Sequence, residues 1–229
     1  MSVKHLFFGT IATVALISGG ARPSDAALMI SLSDNNGNST TITDQGVGDL
    51  NPLLGGVTFI GSVGNFLLNV TTGTSKPLIG SAAFPAIDLS SVDVTSLSGG
   101  GTLTLNLTDT GFTGTGNPVA FVSQIGGAQG VGGTLSYKTF LDCGNTAFGT
   151  STPLSTQNFS TTPFAGARIT NTTLCSSTYS LTEQVVLSLG PSEATSFNAN
   201  LAVPEPATLT LFGVGLLAFG WLSRRKATN

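Results

Sequence analysis

Apolar and polar residues alternate with a period of two through much of this chain. In the stretch "GTLTLNLTDT", Leu103, Leu105 and Leu107 fall on one side, and threonines and an asparagine fall on the other. Alternation of this kind is typical of a β-strand with one buried face. Further windows are strand candidates: residues 28–32, 57–63, 66–70, 92–97, 119–125, 135–141, 165–170 and 179–189. In the last window Glu183 is the odd member of an otherwise apolar face.

Glycine-rich turn signals lie between these windows. They are Asn36-Gly37, Gly55-Gly56, Gly99-Gly100-Gly101, Gly126-Gly127 and Gly132-Gly133. No window has the apolar period of an amphipathic helix, and no repeat of fixed period is visible. The pattern therefore predicts an all-β fold with about eight to ten strands, in a single β-sandwich or jelly-roll-like domain. Residues 145–162 show no period and are predicted to form a long surface loop.

The front of the chain has the layout of a secretory signal peptide. Lys4 supplies a positive charge, residues 6–17 form a short apolar run, and Ser24-Asp25-Ala26 is a small-x-small cleavage site. The apolar run is too short to cross a membrane comfortably. We therefore expect a signal helix over residues 1–26 that is removed after Ala26, or after Ala27 as the second choice. The alternative is a buried N-terminal helix.

Charge and residue usage narrow the chemistry of the central domain. Residues 27–203 contain three basic and nine acidic residues, a net charge of −6, which argues against a nucleic-acid partner. The sole histidine, His5, lies in the signal peptide, so Ser-His-Asp catalysis and most zinc sites are excluded. Glu183 and Glu193 are the only glutamates of this region, and no carboxylate pair is marked. We expect no catalytic residues, no metal and no cofactor.

Cys143 and Cys175 are the only cysteines of the chain. After export they would meet an oxidising compartment, in which a disulfide persists. An intramolecular bridge between the two is favoured, and it would contribute roughly 3–4 kcal/mol in the chain-entropy model. Two free thiols or an intermolecular bridge are the alternatives.

The tail combines a short apolar run with a basic cluster. Residues 209–222 carry no charge, and as a helix they would span about 21 Å. With residues 206–208 and Ser223 added, the helix would span about 27 Å, close to the thickness of about 30 Å of the hydrocarbon core of a bilayer. Arg224, Arg225 and Lys226 follow, as the positive-inside rule requires of a cytoplasmic flank. The tail therefore predicts a short C-terminal transmembrane helix with a basic stop-transfer signal. The alternative is a buried C-terminal helix.

The order Val203-Pro204-Glu205-Pro206, apolar run and basic cluster closely resembles the PEP-CTERM sorting signal of Gram-negative bacteria. The same module is also catalogued as the C-terminal domain of ice-binding proteins. The resemblance covers residues 203–229 and implies a partner, an exosortase-type membrane enzyme that cuts near the Pro-Glu-Pro. Proteins with this signal are typical of bacteria that make biofilm or exopolysaccharide. The central domain, residues 27–202, resembles no family that we recognise.

These observations favour an exported, non-catalytic protein of the cell surface or extracellular matrix. It would pass through an inner-membrane-anchored intermediate before it reaches the surface or the medium, where exopolysaccharide is a possible partner. The alternative is a carbohydrate- or polymer-binding module delivered by the same route. A secreted hydrolase and an ice-binding protein are less favoured, because the sequence shows neither a carboxylate pair nor regularly spaced threonine rows.

Overall fold

The computed structural model describes residues 27–114 and 118–204, and these residues form an all-β domain without helices. The predicted signal helix and C-terminal helix lie outside the described residues. Twelve strands are present, more than the eight to ten predicted. They are β1 (Met29–Asp34), β2 (Ser39–Thr43), β3 (Gly56–Val63), β4 (Phe66–Thr74), β5 (Ala86–Ser96), β6 (Gly101–Phe112), β7 (Val119–Gln129), β8 (Thr134–Asp142), β9 (Thr152–Phe159), β10 (Phe164–Thr172), β11 (Tyr179–Leu189) and β12 (Ala194–Ala202).

The strands form two six-stranded antiparallel sheets that pack face to face. The first sheet has the order β2-β1-β6-β11-β8-β9, and the second has the order β10-β7-β12-β5-β4-β3. One hydrophobic cluster fills the space between them and takes side chains from both sheets. The prediction of an all-β sandwich is therefore confirmed. Within the described parts of the chain, no helix is long and apolar enough to span a bilayer.

The alternation seen in the sequence decides which face of each strand is buried. Leu103, Leu105 and Leu107 of β6 are fully buried, while Thr104 and Asn106 between them face outward and are half-buried. The same alternation holds along β11 from Glu183 to Leu189, and the inward residues of this strand continue the core across the first sheet; Ser180 and Thr182 on its outer face are also buried. Pairing in exact register explains this continuity, because a slip of one residue would turn every side chain to the opposite face.

Three strands were missed by the sequence pattern: β2, β9 and β12. β9 lies within residues 145–162, which we expected to be a surface loop, so that prediction is wrong. Its buried residues include Ser155 and Gln157, and β12 similarly buries Thr195 and Ala199. Polar or small residues at inward positions weaken the apolar half of the alternation. Both strands are nevertheless paired along most of their length, β9 with β8 and β12 with β5 and β7, with one register shift in each of the β8–β9 and β5–β12 pairs.

The two ends of the sandwich differ in their connections. The turn end carries short links at residues 35–38, 64–65, 97–100, 130–133, 160–163 and 190–193. The loop end carries the long links at residues 44–55, 75–85, 143–151 and 173–178. The described chain starts and stops at the loop end: the Ala27 amide donates to Thr110 Oγ1 at 3.0 Å, and the Val203 amide donates to the Pro85 carbonyl at 2.9 Å.

Candidate functional site

Glu183, the odd residue on the apolar face of β11, is completely buried between the sheets. The Tyr137 hydroxyl of β8 is in hydrogen-bond contact with Glu183 Oε1 and lies 3.2 Å from the Asn200 carbonyl oxygen. Burial raises the pKa of Glu183 well above its ordinary value, and the bond with Tyr137 offsets only part of that rise. A protonated Glu183 would donate to the Tyr137 oxygen and leave the tyrosine proton for Asn200. No solvent reaches Glu183 or Tyr137, so the pair is structural.

A second polar group in the interior links the two sheets near Glu183. Thr139 of β8, Ser155 of β9 and Ser123 of β7 form this hydroxyl cluster. The Ser155 hydroxyl hydrogen-bonds to the Thr139 hydroxyl at 2.9 Å and to the Ser123 hydroxyl at 2.7 Å. Because each hydroxyl can both donate and accept, three short side chains satisfy one another without a charge.

The predicted disulfide is present at the loop end. Cys143 and Cys175 are bonded, with their Cα atoms 5.4 Å apart and a sequence separation of 32 residues. The 143–151 loop that starts at this bridge folds over the outer face of the first sheet. Its Phe148 amide donates to Thr108 Oγ1 at 3.1 Å, and Ser180 Oγ donates to the Thr146 carbonyl at 2.7 Å.

Asp142 holds the base of the same loop. Its carboxylate accepts hydrogen bonds from Ser151 Oγ at 2.6 Å and from the Thr146 amide at 3.0 Å. The bond from Ser151, aided by Thr146, keeps the pKa of Asp142 below its ordinary value despite partial burial. The carboxylate is therefore committed to loop structure and is not available as a general acid.

Lys76 and Asp109 form a salt bridge beneath the loop end. Lys76 Nζ lies 2.6 Å from Asp109 Oδ2, donates to the Thr110 carbonyl at 2.7 Å, and stands 3.7 Å from the centre of the Phe112 ring. Burial lowers the pKa of Lys76, although the charge of Asp109 and the hydrogen bond to it oppose this shift. The Ser75 hydroxyl also donates to Asp109, so the buried carboxylate is well satisfied.

The outer face of the first sheet is a broad surface of hydroxyl and amide groups, which we call the polar face. Strand register aligns its outward residues in two rows: Ser31, Asn106, Gln184, Lys138 and Thr156, and then Ser33, Thr104, Val186, Ser136 and Asn158. Gln184 Nε2 donates to Asn106 Oδ1 at 3.0 Å, which fixes both amides. A groove of about 250 Å³ crosses the second row and is lined by Ser136, Asn158 and Phe159, among others.

Sequence analysis did not single out the polar face. Its rows become visible only when strand order is known, because Asn106, Gln184 and Lys138 come from three strands far apart in the chain. Tyr137 and Tyr179, which might have stacked against a sugar, are both buried. Burial raises the pKa of Tyr179 to about 12. Over residues 27–114 and 118–204, no group of three or more His, Cys, Asp or Glu side chains is placed to hold a metal ion.

The sorting residues begin where the last strand stops. Val203 is half-buried against the core and bonded to Pro85, and Pro204 is exposed. The other residues of the predicted signal lie outside the described residues: Glu205, Pro206, Arg224, Arg225 and Lys226. Their roles therefore stay predictions.

Three solved structures share a distant likeness with this chain. TmCBM61 in complex with beta-1,4-galactotriose is 9% identical, with 69% of this chain and 92% of that chain covered and a TM-score of 0.34. The enzymatically active domain of bacteriophage CBA120 tailspike protein 4 is 16% identical, with coverages of 61% and 19% and a TM-score of 0.31. An isomalto-dextranase of Arthrobacter globiformis T6 complexed with panose is 10% identical, with coverages of 78% and 30% and a TM-score of 0.27. At such TM-scores these likenesses carry no argument about ligand or activity.

The family comparison, in contrast, concerns the tail. No curated protein matches the chain. The family model of the PEP-CTERM protein-sorting motif matches residues 202–226, starting at the last residue of β12. This motif indicates export, a membrane-anchored sorting intermediate and processing by an exosortase. The chain thus carries a PEP-CTERM protein-sorting motif behind a β-sandwich domain that is not itself recognised.

Proposed function

We propose that this chain is a non-catalytic protein of the cell surface or extracellular matrix, delivered as a folded domain and cut from its anchor by an exosortase. One observation carries the proposal: the sorting motif starts at Ala202, so a complete sandwich precedes the processing site. Val203 is bonded to the domain while Pro204 is exposed. An enzyme can therefore reach the Pro-Glu-Pro without unfolding a strand. In this proposal the matrix is that of a biofilm rich in exopolysaccharide.

The intact mass of the mature protein from its native host tests this proposal. We expect a mass that lacks residues 209–229. Glu205→Ala and Pro206→Leu should leave the full-length chain in the inner membrane, because they alter the proline-flanked, charged motif that the enzyme reads. Asp93→Ala, an exposed carboxylate on the second sheet, is the control and should be processed normally. A mature mass that still includes residues 209–229 in a host with active exosortase would refute the proposal.

A second candidate function is binding of a neutral polysaccharide on the polar face. It is supported by the aligned row of Asn106, Gln184 and Lys138 and by the groove beside Phe159. Fixed amides and hydroxyls are the groups that bind sugar hydroxyls, and a partly exposed aromatic ring would add an apolar contact. This candidate is second because the two tyrosines are buried.

A glycan array of the mature protein, followed by titration of any ligand found, tests the second candidate. Gln184→Ala removes an amide that would bond directly to the sugar, and we expect roughly tenfold weaker binding. Gln124→Ala is the matched control, because Gln124 is an exposed amide on β7 of the opposite sheet. If the two variants bind equally well, or if no glycan binds, the polar face is not a polysaccharide site.

A further inference from the structure

The loop end exposes a set of large apolar side chains, each about half accessible to solvent. We define the apolar rim as Leu53 (56% exposed), Leu54 (62%), Leu78 (43%) and Phe84 (40%). Leu54 lines a groove of about 540 Å³ together with Leu28, Pro77 and Ala82. The Ser81 amide donates to the Phe84 carbonyl at 2.9 Å, which holds Phe84 beside the same loop. The rim is therefore one continuous surface across two loops.

The charged side chains near the rim make hydrogen bonds or a salt bridge within the domain. Asp44 accepts a hydrogen bond from the Gly55 amide at 2.7 Å, and Asp49 accepts from the amides of Asn51 and Thr58 at 2.8 and 2.9 Å. Lys76 is bonded to Asp109 below the groove. These bonds lower the cost of bringing the rim against an apolar phase, although Asp44 itself lines the groove and carries a charge there.

The chain leaves the domain directly beside the rim. Val203 is hydrogen-bonded to Pro85, the neighbour of Phe84, and only residues 205–208 separate Pro204 from the apolar run 209–222. Four residues reach at most about 14 Å. Residue 27, which follows the signal peptide, starts at the same end. Both segments predicted to enter the membrane thus depart from the end that carries the rim.

We propose that the apolar rim rests on the lipid surface of the inner membrane while the sorting tail is anchored. The occupant is the headgroup and upper acyl region of the bilayer, and the contact is apolar because the rim offers no unpaired cation to anionic lipid. The short tether keeps the rim at a high effective concentration at that surface, so a small apolar contact is sufficient. Such docking orients the domain and presents the Pro-Glu-Pro at the membrane face. This inference rests on the anchored intermediate of the proposed function.

Tryptophan fluorescence in lipid vesicles tests the contact and the anchor separately. Trp221 is the sole tryptophan of the chain, so quenching of the wild-type full-length protein by brominated phosphatidylcholine reports insertion of the tail. In a Trp221→Phe background, Leu54→Trp and Leu78→Trp report contact of the rim with lipid. Val131→Trp is the matched control, because Val131 is 90% exposed in a turn at the opposite end.

We expect brominated lipid to lower the emission of Leu54→Trp and Leu78→Trp by about twofold, the effect of a ring buried roughly 5–10 Å in the interface. Val131→Trp should keep its emission. If the emission of Trp221 is quenched but that of Leu54→Trp and Leu78→Trp is quenched no more than that of Val131→Trp, the rim does not contact lipid. The tail is then still inserted in the membrane. If Trp221 itself is not quenched, the anchored intermediate fails and the docking fails with it. Equal quenching at both ends would also refute the proposal, because the contact would then not belong to the rim.

Discussion

The two halves of the sandwich interior are built from different chemistry. One inward row of the first sheet runs Ile30, Leu107, Glu183, Thr139 and Ser155 across β1, β6, β11, β8 and β9. It changes from aliphatic to polar at Glu183, and the first four of these side chains are completely buried. The aliphatic half of this row lies on β1 and β6, and its polar half lies on β8 and β9, although Leu135 and Leu141 of β8 belong to the hydrophobic core. Strand pairing brings the two halves side by side.

The comparison separates two sources of stability. The aliphatic half gains from removal of apolar surface from water, which scales with area. The polar half gains little in net terms from each hydrogen bond, but an unpaired buried hydroxyl or carboxyl would be costly. We therefore expect truncations in the aliphatic half to lower the folding stability strongly. The effect of a substitution in the polar half should depend on whether it leaves a hydrogen-bond partner unsatisfied.

Leu105→Ala should have the largest effect. Leu105 is fully buried between Leu32 and Val185, and a cavity at such a site costs about 2–5 kcal/mol. Urea denaturation of the mature protein measures the change. Thr104→Ala, on the outer face of the same strand, should change stability by less than about 0.5 kcal/mol. The contrast between the halves breaks down if Thr139→Ala costs as much as Leu105→Ala.

Lys76→Met comes next. It removes the cation from Asp109, which is 1% exposed, and breaking a buried ion pair from one side costs about 3 kcal/mol. The double variant Lys76→Met/Asp109→Asn should recover about half of that loss or more, because no uncompensated charge remains. Thermal unfolding of the three proteins provides the measurement. Equal stability of the single and double variants would mean that the loss does not come from the uncompensated charge of Asp109, but from the other contacts of Lys76 with Thr110 and Phe112.

Glu183→Gln tests the polar half through pH. Burial raises the folded-state pKa of Glu183 above its ordinary value of 4.5, so the folded state holds this proton more tightly than the unfolded state. Wild-type stability should therefore fall as pH rises from about 4.5 towards the folded-state pKa, by at most about 1.4 kcal/mol per pH unit. The glutamine variant lacks this loss and should be the more stable protein at neutral pH. The pKa of Asp88 is also raised by burial, but it acts in both proteins.

The difference between wild type and Glu183→Gln should shrink to near zero below pH 4.5, where the carboxyl is protonated in both states. Unfolding curves from pH 4 to pH 8 show this directly. A stability difference that does not vary with pH would place a charged carboxylate in the folded interior and contradict the raised pKa.

Ser155→Ala should have the smallest effect. It leaves the hydroxyls of Thr139 and Ser123 without their common partner, at a cost of about 1 kcal/mol. The triple variant with Thr139→Val and Ser123→Ala replaces the whole cluster by apolar groups and should cost less than the sum of the single changes. Denaturant midpoints of the four proteins give the comparison. Strict additivity would show that the hydroxyls do not act as a unit.

The sequence predicted β6 of the aliphatic half well and β9 of the polar half badly, for one physical reason. A buried face of β6 is evident from the sequence because polar residues alternate with Leu103, Leu105 and Leu107. Ser155 and Gln157 are buried by the pairing of β9 with β8, and no local contrast reveals this. The disulfide could be predicted because two cysteines allow one intramolecular pairing.

The features proposed to act in function also differ in how far the sequence could predict them. The sorting motif is a contiguous signal, and residues 202–226 were recognisable without any fold. The polar face and the apolar rim are assembled from separate segments, and their composition is ordinary in each segment alone. Leu54 lies in the link between β2 and β3, and Phe84 lies in the link between β4 and β5, so the two come together only because both links are at the loop end.

The strand order has a consequence for the timing of export. β11 and β12 are the last strands of the chain, and each lies in the middle of its sheet, between β6 and β8 and between β7 and β5. A chain that crosses the membrane N-terminus first cannot close the first sheet until residue 189 has emerged, and it cannot close the second sheet until residue 202 has emerged. At that moment the sorting tail occupies the translocation channel. The sandwich is therefore completed at the stage at which the tail stops in the membrane. A chain that meets the processing enzyme then has all of its strands outside the inner membrane.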